Sequence, residues 1–460
     1  MMETRKRLHI LVLCILFAII TWFIAHPLIT LPRPKQPQDS NEEEEWIARR
    51  LGTNSPYPLG GEVAEPAKGP EGCDLVHIQI ISRHGARYPS IRDINAFTRL
   101  SAVISKFTFP PQFTWLSRWN NPFPPELENR LSPRGEQDMY LLGKRVSQRY
   151  AQLLDNAGST EVRVSSSEFA RSGESAYAFS IGAFEGKGEI GFGKQRPMYI
   201  HTIPKGEDKE LAMKLACPRW LAYAHTRAKD QLFHYGATLK PIASRLNSVL
   251  GSTIFDLDEI KSMYKLCGFE YATWKKRSWC DMFEKDEILL MEYANDLGHY
   301  YEYGHGNELN EHIGCQLLTS LVNDIRAVLS PPGANATEPA KAVFRFGHSE
   351  TIFFLVTILG LYRDSQPLLA NSTLEFIHGR LFRGALISPF AANIMLEVWR
   401  CKDKGARIRL LLNEQEIHIP GCESPWCEWE TAEASWLANT GCDFTRMCQV
   451  DEMGWSEFES

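Results

Sequence analysis

The chain has 460 residues, with 50 Lys and Arg against 56 Asp and Glu for a formal net charge of −6, and it is 44% hydrophobic and 23% charged. This balance excludes a mostly disordered chain, a collagen-like chain and a polytopic membrane protein. Its mild acidity argues against a nucleic-acid-binding protein. The length allows two or three domains, or one large unit with an insertion.

Residues 1–7 carry Arg5, Lys6 and Arg7 ahead of an apolar run at 10–25. Basic residues before an apolar core are the pattern of a signal peptide or of an uncleaved signal-anchor. Taken as 8–31, the segment is long enough to span a bilayer, with His26 and Pro27 near its outer end. No clear small-x-small cleavage site follows, which favours a signal-anchor with residues 1–7 as a cytosolic tail. The rest is then lumenal or extracellular, as a single-pass type II membrane protein, or secreted if the leader is cleaved. Residues 32–50, rich in Pro and charge and including Glu42 to Glu45, read as a stalk or linker.

Three later stretches repeat a β-type run, a polar loop and a helical pattern. The first is 76–81 followed by Arg83-His84-Gly85-Ala86-Arg87-Tyr88-Pro89; the second is 162–165 followed by a loop ending at Arg171; the third is 342–346 followed by Gly347-His348-Ser349-Glu350. Such units predict strands joined in parallel, with the loops converging at the strands' C-terminal ends. Between the first and second, Met139, Leu142, Val146, Tyr150 and Leu153 recur at helical spacing. Residues 205–335 read as mainly helical. Beyond the third unit, 394–399 and 407–412 read as strands, with Asn413-Glu414 opening a hairpin turn. The expected fold is α/β, a mixed, largely parallel sheet flanked by helices. Residues 51–204 and 336–450 form the α/β domain, 205–335 a mainly helical insert, and 451–460 a tail.

Of the 11 cysteines, Cys14 lies in the apolar run, leaving an even number for disulfides in an oxidising compartment. Zinc is the alternative for Cys422 with Cys427 and Cys442 with Cys448, although structural zinc sites favour closer pairs than these. Asn335 and Asn371 begin glycosylation sequons in polar loops.

The heptapeptide at 83–89 suits phosphoryl transfer. Two guanidiniums on one loop can fork onto phosphate oxygens. Gly85 lets the backbone approach closely, and a neutral His84 offers a nitrogen lone pair to phosphorus. The heptapeptide, with Ser55-Pro56-Tyr57, Leu131 to Glu136, Ser166 to Phe179, Trp279 to Phe283, Tyr300-Tyr301, Gly347 to Glu350 and Pro389 to Asn393, resembles the histidine acid phosphatases. The likeness is to the branch of phytases and multiple inositol polyphosphate phosphatases, and it covers about 51–448. The resemblance implies a phosphoglycerate-mutase-like fold. It also implies His84 as a nucleophile forming a phosphohistidine, Arg83, Arg87, Arg171 and His348 as phosphate ligands, with His348 also stabilising the transition state, and Glu350 as proton donor. Ser349 departs from the Ala that many members have there.

The resemblance further implies disulfides Cys73–Cys401, Cys267–Cys280 and Cys442–Cys448, which leave Cys217 with Cys315 and Cys422 with Cys427. No cofactor or metal is expected: His299, His305 and His312 lack the spacing of helix-borne zinc ligands. The implied activity is hydrolysis of multiply phosphorylated inositols, inositol hexakisphosphate first, with a small-molecule phosphorylated substrate, no nucleic-acid partner, and membrane contact only through an uncleaved leader. Lys205, Lys209, Lys275, Lys276 and Arg277 are candidates for the extra cations a polyanion needs. The competing readings are a broad-specificity acid phosphatase, a mutase of the wider superfamily, and an inactive polyanion-binding glycoprotein.

Overall fold

The computed structural model describes residues 37–58, 63–158, 160–331, 339–402, 405–437 and 442–450. The expected N-tail, the apolar segment 8–31, Asn335 and the C-terminal tail lie outside the described residues. Among the described residues no helix is long and apolar enough to cross a membrane. Within the expected stalk a helix runs Pro37–Ala48. Ile47 and Leu51 are buried, so the solvated linker does not extend to residue 50. Residues 47–460 form one compact unit.

Its frame is an eight-stranded mixed sheet in the order β3-β2-β4-β1-β5-β6-β7, with β8 beside β6. The strands are β1 Cys73–Arg83, β2 Val162–Ser167, β3 Ile200–Ile203, β4 Ala342–Gly347, β5 Asn393–Cys401, β6 Gly405–Leu412, β7 Gln415–Ile417 and β8 Cys427–Glu428. β3, β2, β4 and β1 run parallel. The other half, from the β1–β5 pair outward, is antiparallel. β1, β2 and β4 are the strands of the three repeated units. The short edge strands β3 and β8 carry no alternation in sequence, and the residues of β3 are mostly exposed.

β1 lies at the centre and is buried without interruption from His77 to Arg83, as covering both faces of a sheet requires. Two of its polar members reach backbone carbonyls: a ring nitrogen of His77 donates to the Ala340 carbonyl at 2.7 Å, and Gln79 donates to the Leu321 carbonyl at 2.9 Å, while His77 Nε2 is buried without a partner. On one face the helices Pro133–Arg149 and Ala170–Phe184 cross in direct backbone contact. A Cβ on Gly143 would lie 2.2 Å from the Phe179 oxygen, and one on Gly182 would lie 2.1 Å from the Tyr140 oxygen. Met139, Leu142 and Val146, the helical stripe expected from spacing, point into this core with Phe179 and Phe344.

The described part of the expected insert, 205–331, is mainly helical, its longest helices being His225–Leu250, Leu257–Trp274, Lys285–Tyr303 and Cys315–Leu329. The hairpin turn between β6 and β7 falls at Asn413 and Glu414, both at positive φ of 51° and 66°. That is the geometry of a primed turn, unusual for a glutamate. Arg145 forks onto the Glu414 carboxylate at 2.7 and 2.9 Å, and the Tyr57 hydroxyl donates to it at 2.7 Å, which holds the turn.

Five disulfides join the ten described cysteines. Cys73–Cys401, Cys267–Cys280 and Cys422–Cys427 are the expected pairs. The remaining two are exchanged relative to expectation: Cys217 pairs with Cys448, Cα atoms 4.7 Å apart, and Cys315 with Cys442, Cα atoms 6.1 Å apart. The C-terminal segment lies across two distant elements instead of closing on itself. The Arg219 N–H donates to the Cys448 carbonyl and the Gln316 amide to that of Cys442, so each cysteine is held beside its partner's neighbour. Five disulfides fit a secretory or extracellular protein.

Candidate active site

The register of the parallel strands sets the site. Arg83, the last residue of β1, lies opposite Gly347 of β4, and Ser166 of β2 lies opposite Phe346. The residues that follow each strand, His84, His348 and the stretch to Arg171, therefore leave the sheet at one edge. His84 is pinned on both sides of its backbone: its N–H donates to the Gly347 carbonyl at 3.1 Å, and its carbonyl accepts from Ala391 at 3.0 Å.

The His84 ring is almost wholly buried, with Nδ1 2.9 Å from the Gly85 carbonyl. A carbonyl only accepts, so Nδ1 carries the proton and Nε2 keeps its lone pair. Burial, then the positive charges of Arg171 and Arg83, hold the imidazole pKa well below its ordinary value, so the ring is neutral. The His348 ring stands edge-on with centroids 5.7 Å apart. Arg171 donates to His348 Nδ1 at 3.3 Å, so the proton of His348 sits on Nε2, which donates to the Ser167 hydroxyl at 2.9 Å. Burial lowers the His348 pKa to about 3, leaving it a neutral hydrogen-bonding group.

Three guanidiniums surround these rings. Arg83 donates to the carbonyls of Thr53 at 2.6 Å and Ser388 at 2.7 Å and lies 4.4 Å above the Phe390 ring. Arg171 lies 4.8 Å above the Phe169 ring. Arg87 donates to the Tyr88 carbonyl at 2.9 Å, and burial followed by Arg171 lowers its pKa to about 10. Arg83 Nε and Arg171 Nε are buried without a hydrogen-bond acceptor. Buried donors of that kind suit an anionic ligand. Glu350 enters from the first turn of the helix Ser349–Ile358, where its carboxylate meets Lys214 Nζ at 2.8 Å. Burial would neutralise it, but Lys214 and then His348 outweigh burial and hold its pKa below the usual carboxylate range. The assembly holds a neutral imidazole, a cationic cradle and one carboxylate, parts suited to moving a phosphoryl group.

A model of the histidine phosphatase superfamily (branch 2) matches residues 74–413. The chain belongs to that superfamily. This histidine phosphatase is 26% identical over 418 residues to the multiple inositol polyphosphate phosphatase 1 of Dictyostelium discoideum, covering 78% of the chain and 66% of that relative. It is 28% identical over 436 residues to the protein of the same name from Drosophila melanogaster, covering 87% and 88%. Among solved structures it is similar to the phytase from D. castellii, with a TM-score of 0.76 and 18% identity over 92% of this chain and 91% of that one.

The six residues expected to carry the phosphatase chemistry thus meet in one place. Gly85, read as giving a phosphate room, makes its close approach to protein instead: a Cβ there would lie 2.3 Å from the Gly135 oxygen. Of the auxiliary cations, Lys205 lies at the site, its ammonium 4.5 Å above the Phe169 ring that also carries Arg171. Lys276 packs on Trp274, itself 6.5 Å from Tyr88, and is exposed with Lys275 at the end of the helix Leu257–Trp274. Lys209 turns to Thr445 and Phe444, and Arg277 to Asp281, both away from the histidines' partners. His299 is on the helix Lys285–Tyr303, stacked with Tyr303 and Phe353.

Sequence reasoning missed Lys214, Ser167, Phe169 and the carbonyls of Thr53 and Ser388. Ser167 and Phe169 sit in a loop already marked as part of the site. Lys214 sits in a turn without a motif, and a carbonyl has no sequence signature at all. Ser349, the departure from Ala, shares a hydrogen bond with Ser388 at 3.0 Å and so braces the segment that holds Arg83.

Proposed function

We propose that this histidine phosphatase hydrolyses multiply phosphorylated inositols through a phosphohistidine on His84. The observation that carries it is the neutral His84, proton on Nδ1 and lone pair on Nε2, inside a cradle of three arginines. The relatives named as inositol polyphosphate phosphatases and phytase support the substrate class. Nε2 of His84 attacks phosphorus, and Arg83, Arg87 and Arg171, with His348 beside them, balance the phosphoryl charge as it shifts to the leaving oxygen. Glu350 handles the proton: it delivers one to the leaving alkoxide and then takes one from the water that opens the phosphohistidine. Lys205, which shares the Phe169 ring with Arg171, and the exposed Lys275 and Lys276 are assigned to the ester's neighbouring phosphates.

The N-terminal segment 8–31 is proposed as a signal-anchor or leader, and Asn371, exposed in a turn, and Asn335 as glycosylation sites.

Phosphate release from inositol hexakisphosphate and from an aryl phosphate, by residues 47–460 and by His84→Ala, tests the reading. The expected result is release from the inositol ester, lost on the order of 10⁴-fold or more in the variant, with acid-labile phosphate trapped on His84 in the wild type. Turnover of the aryl ester alone would leave a broad acid phosphatase. Inactivity of the folded protein on both would leave a polyanion-binding protein.

A further inference from the structure

Lys214 lies outside every motif, and its closest ionic contact is Glu350, Nζ to Oε1 2.8 Å. The turn that carries it is tied down at both ends. Asp208 accepts the N–H groups of Glu210 and Leu211, and Cys217 is disulfide-bonded to Cys448. The Leu211 carbonyl accepts the Thr351 hydroxyl, whose oxygen accepts the His348 N–H at 3.0 Å. The turn with Lys214 and the helix start with His348 and Glu350 are therefore one hydrogen-bonded assembly. On its other side the ammonium lies 5.8 Å from the ring of Trp220 and 5.5 Å from that of Tyr303, two rings stacked on each other. The two charged side chains are only 24% and 14% exposed, so solvent screens the pair weakly.

We infer that Lys214 is a positioning residue for the proton step: it holds Glu350 as a carboxylate in the free enzyme, so that the proton required by the leaving oxygen enters on the substrate's own phosphate monoanion. This rests on the phosphomonoesterase reading but not on the inositol assignment. The second proton of a phosphate monoester leaves near pH 6, so the monoanion is abundant in acid. On binding, the phosphate hydroxyl passes its proton to the Glu350 carboxylate. The P–O bond to the leaving group then breaks as the His84 Nε2–P bond forms, and Glu350 returns that proton to the leaving oxygen as an alcohol. Glu350 ends as it began, a carboxylate, ready to take a proton from water. The other groups that act on Glu350 are His348 beside it, Arg83 and Arg87 of the loop after β1, Arg171, and His299 and Tyr303 of the helix Lys285–Tyr303. The arginines stay charged in acid and the two histidines are held neutral by burial, which leaves the Lys214 contact as the removable cause.

The test is the pH profile of kcat/KM for wild type, Lys214→Met, Lys214→Gln and Lys214→Arg on 2-glycerophosphate and on 4-nitrophenyl phosphate, whose leaving group needs no proton. An opposite charge at this range moves a carboxylate by about 1–3 pH units. The uncharged variants should therefore gain an acid limb raised by about that much, a tenfold loss per unit below it, which Lys214→Arg removes. Their loss near pH 5 should be larger on the alkyl ester than on the aryl ester. An unmoved limb with equal losses on both esters overturns the inference and leaves Lys214 a packing residue. A folded wild type inactive on both overturns the phosphatase reading with it. If neither uncharged variant folds, ¹³C-carboxyl titration of the wild type decides: Glu350 still ionised near pH 3 supports the inference, and titration at an ordinary carboxylate pH overturns it.

Discussion

At the level of single residues, burial without titration is the rule around this site. His84 and His348 are neutral because desolvation and neighbouring guanidiniums disfavour their charged forms, and neutrality is what a nucleophile and a hydrogen-bond donor of fixed tautomer require. The same physics acts at His77 in β1, where burial lowers the pKa from 6.5 to about 4. The unfolded chain binds a proton at His77 between those pH values and the folded chain does not. Stability is therefore full above pH 6.5 and falls as pH drops toward 4, by up to about 3 kcal/mol from this group. Thermal melts of His77→Asn should show a shallower fall of Tm between pH 6.5 and 4 than the wild type, whatever the substitution costs at neutral pH. An equal slope would mean that other groups dominate the acid response.

Among the elements, glycine placement decides how closely backbones meet. A Cβ on Gly135 would lie 2.1 Å from the Ala86 oxygen, and one on Gly85 would meet Gly135 in return. The loop bearing His84 thus rests directly on the first turn of the helix Pro133–Arg149, and Ser132 bonds the Ala86 carbonyl at 2.8 Å beside it. Because the obstructing atoms are backbone, Gly135→Ala must displace the loop. The expected cost is about 1–3 kcal/mol of stability, seen as a lower urea midpoint, together with a fall in kcat that exceeds any change in KM. Gly182→Ala, which meets the Tyr140 oxygen far from the site, should lower stability similarly while leaving the kcat of the folded fraction near the wild-type value. The spacing of Met139, Leu142 and Val146 made the helix legible. Its contact with the nucleophile loop was not, because Gly85 and Gly135 are 50 positions apart in the chain and neither carries a side chain to signal contact.

For the whole molecule, a chain of net charge −6 concentrates three arginines and two neutral histidines at one sheet edge, so the site's cationic character is local. Disulfides bind distant parts of the sequence: Cys73–Cys401 spans 328 residues and Cys217–Cys448 spans 231. Peptide mapping of the non-reduced protein should recover Cys217 linked to Cys448 and Cys315 linked to Cys442. A Cys442–Cys448 peptide would contradict this arrangement. Replacing Cys217 and Cys448 together by Ser should lower unfolding free energy by about 2–5 kcal/mol in the chain-entropy view. It should also loosen the turn that presents Lys214, so that activity and stability fall together.

Beyond the roles of Arg171, His348 and Glu350, which the family resemblance implied, what the sequence determined by itself was chemistry carried by local patterns: the strand-to-helix units, the amphipathic helix, the β6–β7 turn, and the heptapeptide with Arg83, His84 and Arg87. Each is encoded within a few positions, where side-chain periodicity and loop composition are read directly. Tertiary structure alone decided what depends on approach between distant segments. It exchanged the partners of Cys217, Cys315, Cys442 and Cys448, since pairing follows Cα distance and not proximity in sequence. It turned Lys209 and Arg277 to other partners and brought Lys205 over Phe169. It placed Lys214, a residue of an unremarkable turn, 2.8 Å from the carboxylate whose charge it governs. A Coulombic contact across 136 residues of chain leaves no period or motif behind, because its strength depends on distance and burial in space alone.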